Sequence, residues 1–148
     1  MSSNRDRLFN ILYSKSFIYR EDPPFTLVSG RQSFYYFDCK ATTLDAEGVS
    51  LIGEVMFEAI EPFLGPLAVD GIGGLTLGAD PISISTAIAA GKKGVAISPL
   101  IVRKEPKKHG TQKWIEGDAG QVKNVVVIDD VITTGGSTVT AIERLRES

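Results

Sequence analysis

The chain has 148 residues, a length that fits one domain and is long enough to bury a core. Apolar residues at 43% and charged residues at 23% exclude wholesale disorder, and 16 Lys+Arg against 18 Asp+Glu exclude an overall electrostatic grip on nucleic acid. One cysteine, Cys39, and one histidine, His109, exclude an intrachain disulfide, a cysteine zinc site and any two-histidine chemistry. No apolar run approaches the ~20 residues of a membrane span. The start, MSSNRDRLFN, lacks the apolar stretch of a signal peptide. The expectation is a cytoplasmic protein, with neither nucleic acid nor membrane as a partner.

Residues 4–14 place Leu8, Ile11 and Leu12 on one face, which predicts a short amphipathic helix. Residues 25–28 and 34–37 read as two short strands, and Ser29-Gly30-Arg31-Gln32 between them predicts a hairpin. Leu51, Ile52, Val55, Met56, Ala59 and Ile60 repeat at helical spacing, with Pro62 marking the end. Residues 67–70 form a brief apolar run closing on Gly71-Ile72-Gly73-Gly74. A helix follows, with Asp80 as N-cap, Pro81 at its first position and Gly91 just past its end. Residues 95–102 are a second apolar run, interrupted by Pro99, and 103–120 is polar and reads as loop. Val122 and residues 125–128 form the clearest strand, β-branched as a buried parallel strand would be, and a last helix runs through Arg146. This alternation predicts the α/β class, an open and mostly parallel sheet flanked by helices. Ligands in such sheets sit beyond the carboxyl ends of the strands, here residues 71–78, 103–108 and 129–137.

The sharpest signal is Val125-Val126-Val127-Ile128-Asp129-Asp130-Val131-Ile132-Thr133-Thr134-Gly135-Gly136-Ser137-Thr138. A buried strand delivers two carboxylates to the sheet edge, and a turn rich in hydroxyls and glycines opens a helix. Backbone N–H groups at that helix start, with the hydroxyls of Thr133, Thr134, Ser137 and Thr138, make a phosphate cradle, and Gly135 and Gly136 permit close approach. The carboxylates repel an anion unless they have another task, such as bonding a sugar diol or steering Mg²⁺. A capped helix with two solvated acids is the bland alternative, and the coincidence of acid pair, hydroxyls and glycines outweighs it. Residues 71–78 are not a dinucleotide fingerprint, because Thr76 takes the third glycine position, and Gly91-Lys92-Lys93 is not a P-loop.

The acid pair and its turn resemble the phosphoribosyl diphosphate (PRPP) signature of the type I phosphoribosyltransferases. Residues 101–110, IVRKEPKKHG, resemble the catalytic loop of the orotate phosphoribosyltransferase family, and residues 25–37, FTLVSGRQSFYYF, resemble its orotate-side segment. Together with Gly73-Gly74-Leu75-Thr76-Leu77-Gly78 the resemblance covers nearly the whole chain. It implies one phosphoribosyltransferase domain over 1–148, with a small hood at about 1–40 and a PRPP-binding core at about 41–148.

The implied reaction joins orotate to PRPP, giving orotidine 5′-phosphate and pyrophosphate for pyrimidine synthesis. Asp129 and Asp130 would hold the ribose hydroxyls, while Val131, Ile132, Thr133, Thr134, Gly135, Gly136 and Ser137 would line the 5′-phosphate. The backbone of Gly73, Gly74, Leu75, Thr76 and Leu77 would face the pyrophosphate. Tyr36, Phe37 and Thr133 would meet orotate, with core packing an equal alternative for one of the two aromatics. Arg103, Lys104, Lys107 and His109 would bind PRPP, Lys107 and His109 joining the acid pair as catalytic residues; from composition alone this basic run is only a solvated loop. Mg²⁺ is the implied cofactor, arriving with PRPP and water and without a protein metal ligand. The family's loop completes the neighbouring subunit's site, so a homodimer is implied, with the Arg103–Gly110 loop crossing over. Val28 and Leu77 stand where the family commonly has Lys. The family continues past the helix ending near Arg146, so the expectation is a fold shortened at its carboxyl end. Rival readings are a PRPP-binding module or shortened paralogue without turnover, and a phosphoribosyltransferase for another base; the intact acid pair speaks against the first and the 103–110 loop against the second.

Overall fold

The structure, a computed structural model, describes residues 2–27, 29–106 and 113–148. Helix α1 (Asn4–Ile11) starts at a reciprocal cap in which Ser3 and Asp6 satisfy each other's backbone N–H. It runs on as one π-helical turn over Leu12–Ser16 rather than ending at 14. Four short strands follow: β1 (Phe17–Tyr19), β2 (Phe25–Thr26), β3 (Gln32–Ser33) and β4 (Tyr35–Phe37). The expected hairpin is tighter than the sequence implied. Strand β2 pairs with β3 across a turn whose Gly30 has φ +80°, whereas β4 pairs antiparallel with β1, Phe17 opposite Phe37. Aromatic contacts favour that second pairing, since the rings of Tyr19 and Tyr35 lie 5.2 Å apart and those of Phe17 and Tyr35 5.8 Å.

Helices α2 (Lys40–Thr43) and α3 (Ala46–Leu67) come next, α3 capped by Asp45 accepting from the N–H of Glu47 and Gly48. Pro62 does not end α3, which carries Pro62 and Pro66 inside it. Its last turns keep Leu64 packed on the core, and that contact outweighs a missing backbone hydrogen bond. Residues 68–70 are not a strand, and Leu67 is the last residue of α3; strand β5 is the glycine run itself, Gly71–Leu75. Helix α4 (Asp80–Lys92) has Ala79 rather than Asp80 at its cap, and Asp80 instead accepts from the Thr76 hydroxyl at 2.6 Å. Gly91 lies within that helix. The residue past its end with a left-handed backbone is Gly94, φ +76°.

Strand β6 (Ser98–Val102) accommodates Pro99. Ser98 donates toward β5, so the missing N–H of Pro99 faces the other neighbour, which pairs only from Ile101 onward. That neighbour, β7 (Ile115–Glu116), lies inside the stretch read as loop. Strand β8 (Val125–Val127) and helix α5 (Gly136–Arg146) complete the chain, Val122 lying just outside the strand. The larger sheet has the order β7-β6-β5-β8, parallel except for β7. The α/β expectation holds.

On one face Ile72 is fully buried with Phe57, Leu51, Ile82 and Ala90 of α3 and α4. Leu100 and Val102 pair with Gly73 and Leu75, one register from Ile72, and therefore face the other side, where Ala141 of α5 is also buried. Among the described residues no helix is long and apolar enough to cross a membrane.

A Cβ at residue 73 would stand 2.4 Å from the Leu100 carbonyl oxygen, which is backbone and unable to swing away. Gly73→Ala should therefore lower unfolding free energy by about 2–3 kcal/mol, read as a fall in the urea midpoint at constant slope. An unchanged midpoint would show that the sheet relaxes at this point.

Candidate active site

Parallel pairing brings the carboxyl ends of β5, β6 and β8 to one edge. The register is locked past the strand ends, Thr76 N donating to Val102 O at 2.8 Å and Ile128 N to Gly73 O at 2.9 Å. Gly73 and Gly74 are buried inside β5, and Leu75 is half-buried. A Cβ at Gly74 would fall 2.0 Å from the Ile128 carbonyl oxygen and 2.7 Å from Ala79 Cβ. The glycines are thus needed for close packing of neighbouring backbone, and Thr76, Leu77 and Gly78 are the residues that emerge at the edge. The Thr76–Leu77 peptide is cis, and Leu77 is exposed.

Asp129 and Asp130 follow β8 after a single residue, Ile128, both half-buried. Asp129 Oδ1 accepts from the N–H of Asp130 at 3.1 Å, and Asp130 Oδ1 from the N–H of Val131 at 3.0 Å. Desolvation first, and then the neighbouring Asp130 charge, push the Asp129 carboxyl above its ordinary value. Asp130 packs against Gly78 so closely that a Cβ there would lie 2.2 Å from Oδ1. The glycine-rich turn and the acid pair, some fifty residues apart in sequence, are thereby in contact. On the opposite side the Cys39 thiol donates to the Asp130 carbonyl at 3.4 Å, and Lys40 Nζ stands 3.8 Å from Asp130 Oδ2. Burial, with the charge of Asp130 next, pushes the Cys39 thiol above its ordinary value, so it stays a neutral donor.

The turn after the acids, Val131, Ile132, Thr133 and Thr134, is exposed. Gly135 takes φ +80°, a conformation glycine adopts without a Cβ clash, and turns the chain into α5. Gly136, Ser137 and Thr138 then present the unpaired N–H groups of a helix start beside exposed hydroxyls of Thr133, Thr134 and Ser137. The Thr138 hydroxyl is buried near the Asp129 carboxylate, whose charged form it favours.

At the end of β6, Arg103 is engaged rather than projecting: NH1 bonds Glu116 Oε1 at 3.0 Å and Nε the Glu105 carbonyl at 3.2 Å. Its N–H donates to the Trp114 carbonyl at 2.8 Å. Arg144 of α5 lies 3.6 Å above the Trp114 ring and also donates to the Arg103 carbonyl. Lys104 is exposed. Lys107 and His109, like Val28, lie outside the described residues.

Tyr36 and Phe37 on β4 are largely exposed, Tyr36 stacked on Phe25 at 5.3 Å and Phe37 tilted against Phe17 at 6.4 Å. The chain leaving β4 is tied down by Asp38 N donating to Ser16 O at 2.8 Å, and by a buried hydroxyl pair, Ser16 and Thr42, at 2.6 Å. It then reaches Cys39 and Lys40, whose contacts with Asp130 join the amino-terminal strands to the acid pair. Sequence reasoning missed Lys40, Arg144 and Trp114. No spacing signal marks them, and Gly78 stood within the glycine run without an assigned task.

No family model matches the chain. It is 47% identical over 146 residues to the orotate phosphoribosyltransferase of Leptospira biflexa, covering 98% of this chain and 77% of that protein. The crystal structure of Mycobacterium tuberculosis H37Rv orotate phosphoribosyltransferase in complex with Fe(III) dicitrate is similar with a TM-score of 0.78 at 33% identity, covering 98% of this chain and 77% of that one. The same enzyme in complex with PRPP gives 0.74 at 31%, covering 98% and 75%. Identity at that level over nearly the whole chain, with a shared fold, places this chain in the orotate phosphoribosyltransferase family.

Proposed function

We propose that this chain transfers the phosphoribosyl group of PRPP to orotate. Orotate N1 forms the new bond to ribose C1 as the C1–oxygen bond to pyrophosphate breaks, and the N1 proton is lost to solvent or base. The observation that carries this reading is the contact of Asp130 with Gly78, which sets a carboxylate pair, a glycine turn and a helix amino terminus around one edge. Two acids suit a ribose diol, and the N–H groups of 135–138 suit the 5′-phosphate.

On this reading Asp129 and Asp130 hold the ribose hydroxyls, and residues 131–137 receive the phosphate. Thr76 and Leu77 border the pyrophosphate more directly than the buried Gly73 and Gly74. Tyr36, Phe37 and Thr133 bound orotate. The leaving pyrophosphate gains negative charge while C1 gains positive charge, so preplaced cations lower the barrier. Arg103 and Lys104 at the end of β6, and Lys107 and His109 beyond, would supply them. Among the described residues no group of three His, Cys, Asp or Glu could hold a metal ion, so Mg²⁺ would arrive with PRPP, be held by substrate oxygens and water, and neutralise the pyrophosphate. Residues of about 1–40 form the orotate-side hood and about 41–148 the PRPP core of one domain, working in the cytoplasm as a homodimer whose 103–110 loops cross.

Adding PRPP and Mg²⁺ to the chain with orotate should deplete orotate absorbance, with no pyrophosphate released from PRPP when adenine or hypoxanthine replaces orotate; turnover with another base alone would overturn the substrate. Gly78→Ala should cut kcat/KM for PRPP at least about tenfold by forcing the Asp130 carboxylate off its present partners, with little loss of stability because a side chain and not backbone gives way. Full activity would remove that contact from the argument.

Because the fold raises the Asp129 carboxyl, the native chain keeps this proton to higher pH than the unfolded chain does. Stability therefore falls as pH rises from the ordinary carboxylate range through the raised value. Asp129→Asn should accordingly raise the ligand-free Tm by about 1–2 °C at pH values above that raised value and by less in acid, a small effect at a solvent-reached pair, while lowering turnover. A lower Tm would contradict the desolvation argument. Mixing Lys107→Ala and Asp130→Asn protomers should recover part of the lost activity if loops act across a dimer; verified mixed dimers without recovery would put the loop in its own site.

A further inference from the structure

Two adjacent carboxylates and a polyanionic substrate at one sheet edge repel one another, and the fold answers with a cation that lies outside every recognised motif. Among the described ion pairs, one reaches the acid pair: Lys40 Nζ stands 3.8 Å from Asp130 Oδ2. The lysine side chain is half exposed, whereas the Asp130 side chain is 15% exposed. Asp130 divides its oxygens between two partners, Oδ1 taking the N–H of Val131 and Oδ2 facing Lys40. With Gly78 against Oδ1, the carboxylate has little room to turn.

The backbone of Lys40 is fixed from both sides. Its own N–H donates to Asp38 Oδ1 at 3.2 Å, the preceding Cys39 thiol reaches the Asp130 carbonyl at 3.4 Å, and Thr42 is tied to Ser16 at 2.6 Å in a buried pair. An ion pair with a half-exposed lysine adds little to folding stability. Its place beside Asp130, anchored by a neighbour that bonds the same residue, is therefore accounted for by what it does to the site.

We propose that Lys40 is a positioning residue of the PRPP site, holding Asp130 Oδ2 so that the acid pair meets the ribose and offsetting the negative charge that arriving PRPP encounters. This rests on the acid pair being the ribose site. A separation of 3.8 Å makes the contact one of charge more than of hydrogen-bond geometry, so another cation should serve and a neutral side chain of equal length should not.

Steady-state kinetics of the full chain test this. Lys40→Ala and Lys40→Met should each raise KM for PRPP about five- to tenfold, with kcat and the KM for orotate changed less than about twofold. Lys40→Arg should restore KM to within about twofold of wild type, and the Lys40→Met defect should shrink in high salt, which screens the missing charge. In an Asp130→Asn background Lys40→Ala should add little, because its effect runs through Asp130. An unchanged KM for PRPP in Lys40→Met, an equal defect in Lys40→Arg, or fully additive losses with Asp130→Asn would overturn the proposal. Calorimetry with PRPP and Mg²⁺ separates the two levels. PRPP binding to wild type with an inert Lys40 overturns this inference alone, and no PRPP binding to wild type overturns the ribose reading with it.

Discussion

The carbonyl oxygens of Leu100 and Ile128 occupy the space in which side chains at residues 73 and 74 would begin. That close approach lets β6 and β8 flank β5 while the start of α4 presses on the same strand through Ala79. The three strand ends then open at one level, and the turns that follow them meet. A larger residue in β5 would spread the strands and separate groups whose chemistry needs them together, so the site depends on a packing constraint set beneath it.

Asp130 is where the consequences converge. It is touched by the turn after β5, by its own loop backbone and by the turn that leads from β4 into α2. Three segments distant in sequence are thus referred to a single carboxylate. Asp129 beside it is held in a costlier state, and the chain tolerates that cost where binding would recover it. If the pair holds the ribose as proposed, stability and function pull in opposite directions here, as expected when charge is prepared for a ligand instead of for the fold.

Much of this was legible in the sequence, and the failures have physical causes. The strand into Asp129 and Asp130 and the helix after Gly135 were readable because β-branched run, acids, hydroxyls and glycines follow in chemical order. The strand β5 was misplaced onto residues 67–70 because glycine argues against a strand locally, and only its neighbours' backbones explain it. Pro62 misled because a helix terminus is a balance, and apolar packing of Leu64 tips it. β7 is two residues long, too short for any periodicity to register. Lys40 and Arg144 act through contacts made only once the chain is folded, so no motif could announce them.

Helix α5 links two ends of the site in one piece. Its first turn carries Gly136 and Ser137 of the proposed phosphate cradle, and eight residues on from Gly136, about 12 Å along the axis, Arg144 grips Trp114 and the Arg103 carbonyl at the stem of the basic segment. The spacing between cradle and stem is therefore set by a helical repeat, as on a ruler whose divisions are peptide hydrogen bonds. Adding or deleting one residue between them would swing Arg144 about 100° off the indole as well as sliding it along the axis. This stretch of the chain can vary in the identity of its outward side chains, but its residue count is held fixed by the two sites it separates.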